Sequence, residues 1–230
     1  MTSVPDGPPG GPLLPSGVGF ALTVPPSWLE FEVRPGRRGA ALERLIAGRV
    51  RDVPELRPHR TALTRLVREQ ARQAWDAGAA YLSCMVEPTE DGPVTASAVV
   101  LVLPGPMGVA DDDPDRLGAV ARPFTTKEPA GDGDVWQRVD IIQVPGAGPA
   151  VRVAGVQDVS LPGQDGAVRV VQLQTLVPLP QGRVLVLTCT SPVLALQEVL
   201  LELFDAVSGT LEIARPGPVG AQRAAPAVAR

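Results

Sequence analysis

Few side chains in this sequence have the types and spacing that catalysis or metal binding requires. The chain contains one histidine, His59, and two cysteines, Cys84 and Cys189. A structural zinc site needs about four nitrogen or sulfur ligands, and a serine nucleophile needs a histidine oriented by a carboxylate. Sequence spacing assembles neither set, although His59 and a cysteine can still pair in space. We therefore expect no catalytic residue, no metal and no cofactor, and we interpret His59 as a solvated residue at a helix start.

Carboxylates cluster in one run, from Asp111 to Asp115. Several oxygens so close together are a candidate calcium site, but the run lacks the spaced ligands, central glycine and distal glutamate of an EF-hand loop. Carboxylates are also stabilised at a helix N-terminus by the helix dipole. We predict that Asp112, Asp113 and Pro114 cap a short helix that ends near Ala121.

Charge is distributed unevenly along the chain. Between Arg34 and Arg72 there are eleven arginines and four acidic residues, a net charge of +7, and the rest of the chain carries −11, which together give −4. A basic segment on an acidic body favours an anionic partner. Nucleic acid is disfavoured, because the isoelectric point is near 5.1 and no aromatic residues alternate with the arginines for base stacking. We expect an acidic protein partner or self-association.

The candidate contact residues follow from this asymmetry and from one tryptophan. The alternative is that the arginines cover solvated helix faces and pair with carboxylates of the rest of the domain. Trp136 begins a predicted strand after a glycine-rich loop, where a partly exposed tryptophan is a typical contact residue. The predicted partner-binding residues are Arg44, Arg49, Arg65, Arg68, Arg72 and Trp136.

Hydrophobic periodicity predicts three long helices that position these residues. One follows Gly36, one runs from about Arg60 to Ala77, and one closes the domain between Leu196 and Val207. The apolar stripes are Leu42, Leu45, Ile46 and Val50 in the first helix, Leu63, Leu66, Val67, Ala71, Ala74 and Trp75 in the second, and Leu196, Val199, Leu200, Leu203, Phe204 and Val207 in the third.

Apolar runs between turn residues predict the strands. The links between them are short, and a parallel return needs about a dozen residues or more, so consecutive strands must pair antiparallel. The predicted strands are 18–24, 29–33, 80–86, 94–103, 135–144, 150–160, 167–178 and 183–190. The sequence thus predicts an α+β fold, an antiparallel β-sheet flanked by helices.

Composition predicts one domain with two tails. Residues 1–16 read as a disordered Pro/Gly-rich leader, 17–214 as a single α+β domain, and 215–230 as a disordered tail. The first residues lack the features of a signal peptide, and no apolar run approaches the roughly 18–20 residues of a transmembrane segment. We expect a cytoplasmic protein in which both cysteines are buried thiols.

Two stretches resemble a known family. The opening Phe20-Ala-Leu-Thr-Val-Pro-Pro-Ser-Trp28 and the ending Leu185-Val-Leu-Thr-Cys-Thr-Ser-Pro192, which leads into a helix, are similar to the PsbP-like superfamily, which includes LpqN-like actinobacterial proteins. An actinobacterial source also fits the twenty-to-one excess of arginine over lysine. The resemblance implies an α/β/α sandwich used for binding or assembly and no common catalytic site. The two helices predicted between Gly36 and Ala77 depart from a typical member.

These observations lead to one functional expectation and one alternative. We expect a non-catalytic binding or assembly module that engages a protein partner through an arginine-rich helical face. The alternative is a small-ligand-binding protein or enzyme with a pocket between the sheet and the helices.

Overall fold

A computed structural model describes residues 18–31, 33, 35–52, 57, 60–89, 92–131, 133–160 and 166–214. The predicted leader 1–16, the predicted tail 215–230 and His59 lie outside the described residues. The helices are α1 (Pro35–Asp52), α2 (Arg60–Asp76), α3 (Arg116–Ala121) and α4 (Gln197–Gly209), and the strands are β1 (Gly19–Ala21), β2 (Leu29–Phe31), β3 (Ala79–Thr89), β4 (Gly92–Pro104), β5 (Trp136–Val144), β6 (Gly148–Ser160), β7 (Ala167–Leu179), β8 (Arg183–Ser191) and β9 (Glu212–Ala214).

Seven of these strands form one antiparallel sheet in the order β2-β3-β4-β8-β7-β6-β5. The hairpin β3–β4 and the meander β5 to β8 follow from the short links that the sequence predicts. The pairing of β4 with β8 joins these two units across the middle of the sheet. The predicted α+β class and the predicted antiparallel pairing are therefore confirmed.

The central strand β8 is buried on both sides, and its alternation divides the core in two. Leu185, Leu187 and Cys189 pack with α4 on one face of the sheet. Val184 and Val186 pack with α3 on the other face. Successive side chains of a strand point to opposite faces, so a strand covered on both sides must be apolar at nearly every position. We call these two sides the α4 face and the α3 face.

Helix α4 is held by a stripe that differs at one edge from the predicted one. Leu200, Phe204 and Val207 are buried against the sheet, as the periodicity predicts. Val199, however, is 63% exposed. The buried positions are spaced four and three residues apart, and Val199 lies one position, about 100° of helix rotation, before Leu200. Its assignment to the apolar face was wrong.

Helices α1 and α2 form a hairpin at one edge of the sheet. They pack on each other, α1 contacts β2, and α2 contacts β3. Leu42, Ile46 and Ala71 are buried in this hairpin. Trp75, predicted to lie in the core, is only partly buried, whereas Trp28 is buried as expected. None of the helices in the described part of the chain is both long and apolar enough to cross a membrane.

A small second sheet, absent from the sequence prediction, ties the two ends of the domain together. Its strands β1 and β9 pair antiparallel, with Phe20 opposite Ile213. Thr210 supports the junction, since its hydroxyl accepts a hydrogen bond from the Thr23 amide (3.0 Å) and donates one to the Thr23 carbonyl (2.9 Å). The predicted strand 18–24 contains β1, whereas β9 and its pairing with β1 were not predicted.

The packing of α4 predicts a large difference between two substitutions in the same helix. Phe204 is fully buried, so Phe204→Ala should lower the free energy of unfolding by about 3–5 kcal/mol. Val199→Ala, on the exposed side, should change it by less than about 0.5 kcal/mol. Equilibrium urea unfolding of both variants measures the difference. Equal losses would mean that α4 does not pack as described.

Candidate functional site

A groove lies between α1 and α2, with a volume of about 1000 Å³, and we call it the arginine groove. Five arginines and two glutamates line it, a net charge of +3 by difference. The lining residues are Arg38, Gly39 and Glu43 from α1, and Arg60, Thr61, Thr64, Arg65, Arg68, Glu69 and Arg72 from α2.

The periodicity of α2 explains how so many cations reach one groove. Thr61, Arg65, Arg68 and Arg72 are separated by steps of four, three and four residues, which places them on one side of a helix. Ala71 is fully buried on the side of the helix that packs. Helix α2 therefore has arginines on the side that lines the groove and the buried Ala71 on the side that packs.

Two of the groove arginines are paired with glutamates that also line it. Arg68 Nη2 lies 2.5 Å from Glu43 Oε1 and links α2 to α1. Arg72 Nη2 lies 2.6 Å from Glu69 Oε1, and its Nη1 lies 3.0 Å from Asp76 Oδ2. The hydrogen bond from Arg72 is the main reason that the pKa of Glu69 lies below its ordinary value. These pairs are exposed, and exposed ion pairs contribute only about 0–1 kcal/mol each.

Arg38 has a different position and a structural role. Its side chain is half-buried, and its Nη1 donates to the carbonyl oxygens of Val33 at 3.5 Å and Ala71 at 3.4 Å. A guanidinium that bonds the backbone of two segments holds the start of α1 against α2. Arg38 therefore forms one wall of the groove.

Arg60 and Arg65 are the available cations of the groove. Both are exposed, and neither forms an ion pair within the described part of the chain. No carboxylate among the described residues is bonded to either side chain, so a ligand carboxylate can bind them without first displacing one. The free positive charge of the groove lies at these two positions.

The structure brings together only part of the predicted contact set. Arg65, Arg68 and Arg72 line the groove. Arg44 is exposed on α1, where its Nε donates to the Ala40 carbonyl at 3.3 Å, and it is not a groove-lining residue. Arg49 belongs to α1, but its side chain is outside the described part. The sequence prediction missed Arg38 and Arg60. Arg60 directly precedes Thr61, so the spacing of the groove-lining residues of α2 could have included it.

Trp136 lies far from the groove, at the other edge of the sheet. It begins β5, which is six strand positions from β2, a separation of about 29 Å at roughly 4.8 Å per strand. Trp136 is half-buried beside a separate hollow of about 270 Å³, with Lys127, Arg138 and Gln197 among its lining residues. One small contact surface cannot include both Trp136 and the arginine groove.

The hollow at Trp136 lies between the sheet edge and α4, where the ligand-binding alternative expects a pocket. Its own volume is below the roughly 300 Å³ at which sites for drug-sized ligands begin, and an adjoining hollow along Leu194 to Val199, which shares Gly133 and Gln197 with it, has a volume of about 520 Å³. The lining of the hollow at Trp136 includes Lys127 and Arg138, and Arg138 Nε is already bound to Asp140 Oδ2 at 3.0 Å. The geometry supports this alternative less well than it supports binding at the arginine groove.

The acidic run after β4 fastens a turn, which the sequence prediction missed. Asp111 accepts hydrogen bonds from the amides of Gln181 and Gly182 at 2.6 and 3.0 Å, in the turn between β7 and β8. Helix α3 begins at Arg116 and ends at Ala121, the predicted end, with no side-chain cap at its N-cap residue Asp115. Asp113 Oδ1 instead accepts a hydrogen bond from the Asp115 amide at 2.8 Å, one position before the helix begins. Among the described residues, no group of three His, Cys, Asp or Glu side chains is arranged to hold a metal ion.

The two cysteines lie on opposite faces of the sheet. Cys84 of β3 lies opposite Ser97 of β4, and Ser97 lies opposite Thr190 of β8, so these three side chains point to the same face. Cys189 precedes Thr190 in β8, so its side chain points to the other face. Both are free thiols. Burial raises the pKa of Cys189 to about 12 and raises the pKa of Cys84 above its ordinary value. Neither thiol is a thiolate nucleophile near neutral pH.

Comparison with known proteins gives little further information. No protein-family model matches the chain. No curated protein matches it either. Among solved structures the chain is similar to the crystal structure of LpqN, involved in cell envelope biogenesis of Mycobacterium tuberculosis, at 13% identity and a TM-score of 0.41, over 86% of this chain and 84% of that chain. Likeness at this level assigns neither a family nor an activity, and the PsbP-like resemblance stays a prediction.

Burial of the thiols predicts their reactivity. In Cys84→Ser, where Cys189 is the remaining thiol, we expect no labelling by Ellman's reagent in the native state at about pH 8 and full labelling after denaturation. In Cys189→Ser, the half-buried Cys84 should react, but more slowly than a free thiol. Fast native labelling of Cys189 would contradict its position in the core.

The Asp111 contact predicts a dependence of stability on pH. Hydrogen bonds from Gly182 and Gln181 lower the pKa of Asp111 below its ordinary value of 3.8, so the carboxylate form is favoured in the folded state. The stabilisation is present above pH 3.8 and is lost as the pH falls through the lowered value. Asp111→Ala should thus be less stable than the parent at neutral pH, and the difference should shrink in acid. Thermal unfolding across this range measures it, with Asp112→Ala as the control.

Proposed function

We propose that this protein is a non-catalytic binding module whose arginine groove holds an acidic segment of a partner protein. The observation that carries the proposal is the concentration of five arginines in one groove, two of which, Arg60 and Arg65, have neither an ion pair nor a side-chain hydrogen bond among the described residues. Carboxylates of a partner would find bidentate donors there, because the planar guanidinium group matches carboxylate geometry. The proposal keeps the cytoplasmic location expected from the sequence.

An acidic protein segment fits the groove better than nucleic acid does. Glu43 and Glu69 lie among the arginines and would repel the fixed backbone phosphates of a nucleic acid, whereas carboxylates on the flexible side chains of a peptide can turn away from them. No aromatic residue is among the groove-lining residues, so bases would have no stacking surface. A protein partner can place its acidic side chains against Arg60 and Arg65 and its polar ones near the two glutamates.

The charge of the remaining chain supports selectivity for this groove. Outside the segment 34–72 the net charge is −11, so an acidic partner is repelled by most of the surface and attracted to the helical hairpin. Electrostatic complementarity of this kind raises association rates and suppresses wrong orientations more than it raises affinity. We therefore expect fast, salt-sensitive and moderate binding.

A pair of charge-reversed variants tests the proposal. Arg60→Glu/Arg65→Glu changes the two available cations of the groove, whereas Arg122→Glu/Arg138→Glu makes the same change in net charge at exposed sites outside it. With a fluorescent poly-glutamate peptide as the probe, the groove variant should raise the dissociation constant at least about fivefold. The control variant should leave it nearly unchanged, and both should keep the parental melting temperature.

The same two variants test capture of a native partner. A tagged protein and both variants are incubated with lysate of the native cytoplasm at low and moderate salt, and the bound proteins are identified by mass spectrometry. We expect a stoichiometric partner on the parent and on Arg122→Glu/Arg138→Glu and its loss on the groove variant. Equal capture by all three proteins would contradict the proposal. Tighter binding of single-stranded DNA than of poly-glutamate would favour nucleic acid instead.

A further inference from the structure

The sheet has two edges, and they are very different. The edge at β2 is three residues long and is contacted by α1. The edge at β5 is nine residues long and pairs with β6 without a register shift from Trp136 to Val144. A long, regular edge strand exposes unpaired backbone groups and is a template for pairing with another strand.

The free backbone groups of β5 can be assigned from one bridge. The amide and carbonyl of Gln137 exchange hydrogen bonds with Lys127, at 2.8 and 2.7 Å, on the side away from β6. Groups of an antiparallel strand alternate between its two sides, so Val139, Ile141 and Gln143 also direct their amides and carbonyls outward. No backbone hydrogen bond to these outward groups exists within the described residues.

This edge has little of the protection that exposed edge strands usually carry. Proteins commonly guard such strands with lysine, proline, bulges or unpaired charges. Here Arg138 and Asp140 neutralise each other, with Nε and Oδ2 3.0 Å apart. Ile141, in the middle of the free segment, has a side chain that is 62% exposed. Between the Lys127 bridge and Pro145 this edge therefore has an exposed apolar side chain at its middle, no bulge and no unpaired charge among the described residues of β5.

We propose that β5 pairs antiparallel with β5 of a second copy of this chain, about a two-fold axis through Ile141. The free segment is bounded by the Lys127 bridge at Gln137 and by Pro145, which has no amide hydrogen to donate. Its centre is Ile141. A segment that is free for equal lengths on both sides of one residue is complementary to itself under a two-fold rotation.

The register defines the contacts of the dimer. Ile141 lies opposite Ile141 of the second copy, and Val139 lies opposite Gln143. Since three such pairs each exchange two hydrogen bonds, this arrangement uses all the outward groups of Val139, Ile141 and Gln143. Arg138 lies opposite Val144 and Asp140 opposite Ile142, so no like charges are directly opposed. A strand from another protein would satisfy the backbone equally well, but it has no reason to be centred on Ile141.

Sedimentation of the full-length chain tests the dimer. Over about 1–100 µM, the range of moderate self-association, the parent should pass from its 24.0 kDa mass toward twice that value. Ile141→Lys places two like charges opposite each other and should raise the dissociation constant more than about tenfold. The matched control is Val199→Lys, because Val199 is 63% exposed and lies on α4. A monomeric parent at every concentration, or an equal effect of both substitutions, overturns the proposal.

Cysteine substitutions test the register. Two residues directly opposite each other in a hydrogen-bonded pair have Cα atoms about 5.5 Å apart, within the range that a disulfide spans. Ile141→Cys should therefore form a covalent dimer on oxidation. Gln143→Cys lies four residues from its own copy, about 14 Å away, and should not. Cross-linking at Gln143→Cys but not at Ile141→Cys would overturn the two-fold register.

This inference is independent of the proposed function. β5 and β2 are the opposite edges of the sheet, so the dimer would leave both arginine grooves open. The poly-glutamate measurement and the sedimentation measurement can therefore fail separately. A parent that binds poly-glutamate as a monomer would remove the dimer and keep the groove.

Discussion

The fold depends on the burial of β8 between two apolar layers. Its odd-numbered residues Leu185, Leu187 and Cys189 meet α4, and its even-numbered residues Val184 and Val186 meet α3. The same strand joins the hairpin β3–β4 to the meander β5–β7 through pairing with β4. A shift of one residue would place the leucines of β8 against α3 and its valines against α4, so the fit of side-chain shape on each face, rather than exposure to water, opposes the shift.

The two surfaces that we propose for interaction lie at the two edges of the sheet. At β2 the edge is contacted by the hairpin of α1 and α2, in which Leu42, Ile46 and Ala71 are buried and Arg60, Arg65, Arg68 and Arg72 are exposed. At β5 the edge ladder itself is exposed. The core thus determines where interaction surfaces can lie, and the side chains at each edge determine their chemistry: charge at one edge and backbone hydrogen bonds at the other.

The sequence predicted what periodicity can encode locally. The bounds of α2, the meander and the stripe of Arg65, Arg68 and Arg72 are all readable from spacing, because each depends on neighbours within one element. The turn fastened by Asp111 and the distance of Trp136 from the arginines depend on which strands are adjacent, and sequence spacing does not contain that order. Val199 shows the remaining limit, since a stripe gives its centre more accurately than its edge.

The ion pairs inside the arginine groove favour exchange over permanent binding. The Arg68–Glu43 pair has side chains that are 48% and 61% exposed, so water already competes for both partners. A carboxylate from a bound protein can replace Glu43 at Arg68 at a cost of about 1 kcal/mol or less, since exposed pairs contribute no more than that. Glu43 would then be repelled by the incoming acid and would turn toward solvent. In the proposed function, the groove would therefore present Arg68 to the partner as Glu43 turns away, and the Arg68–Glu43 pair would form again when the partner leaves.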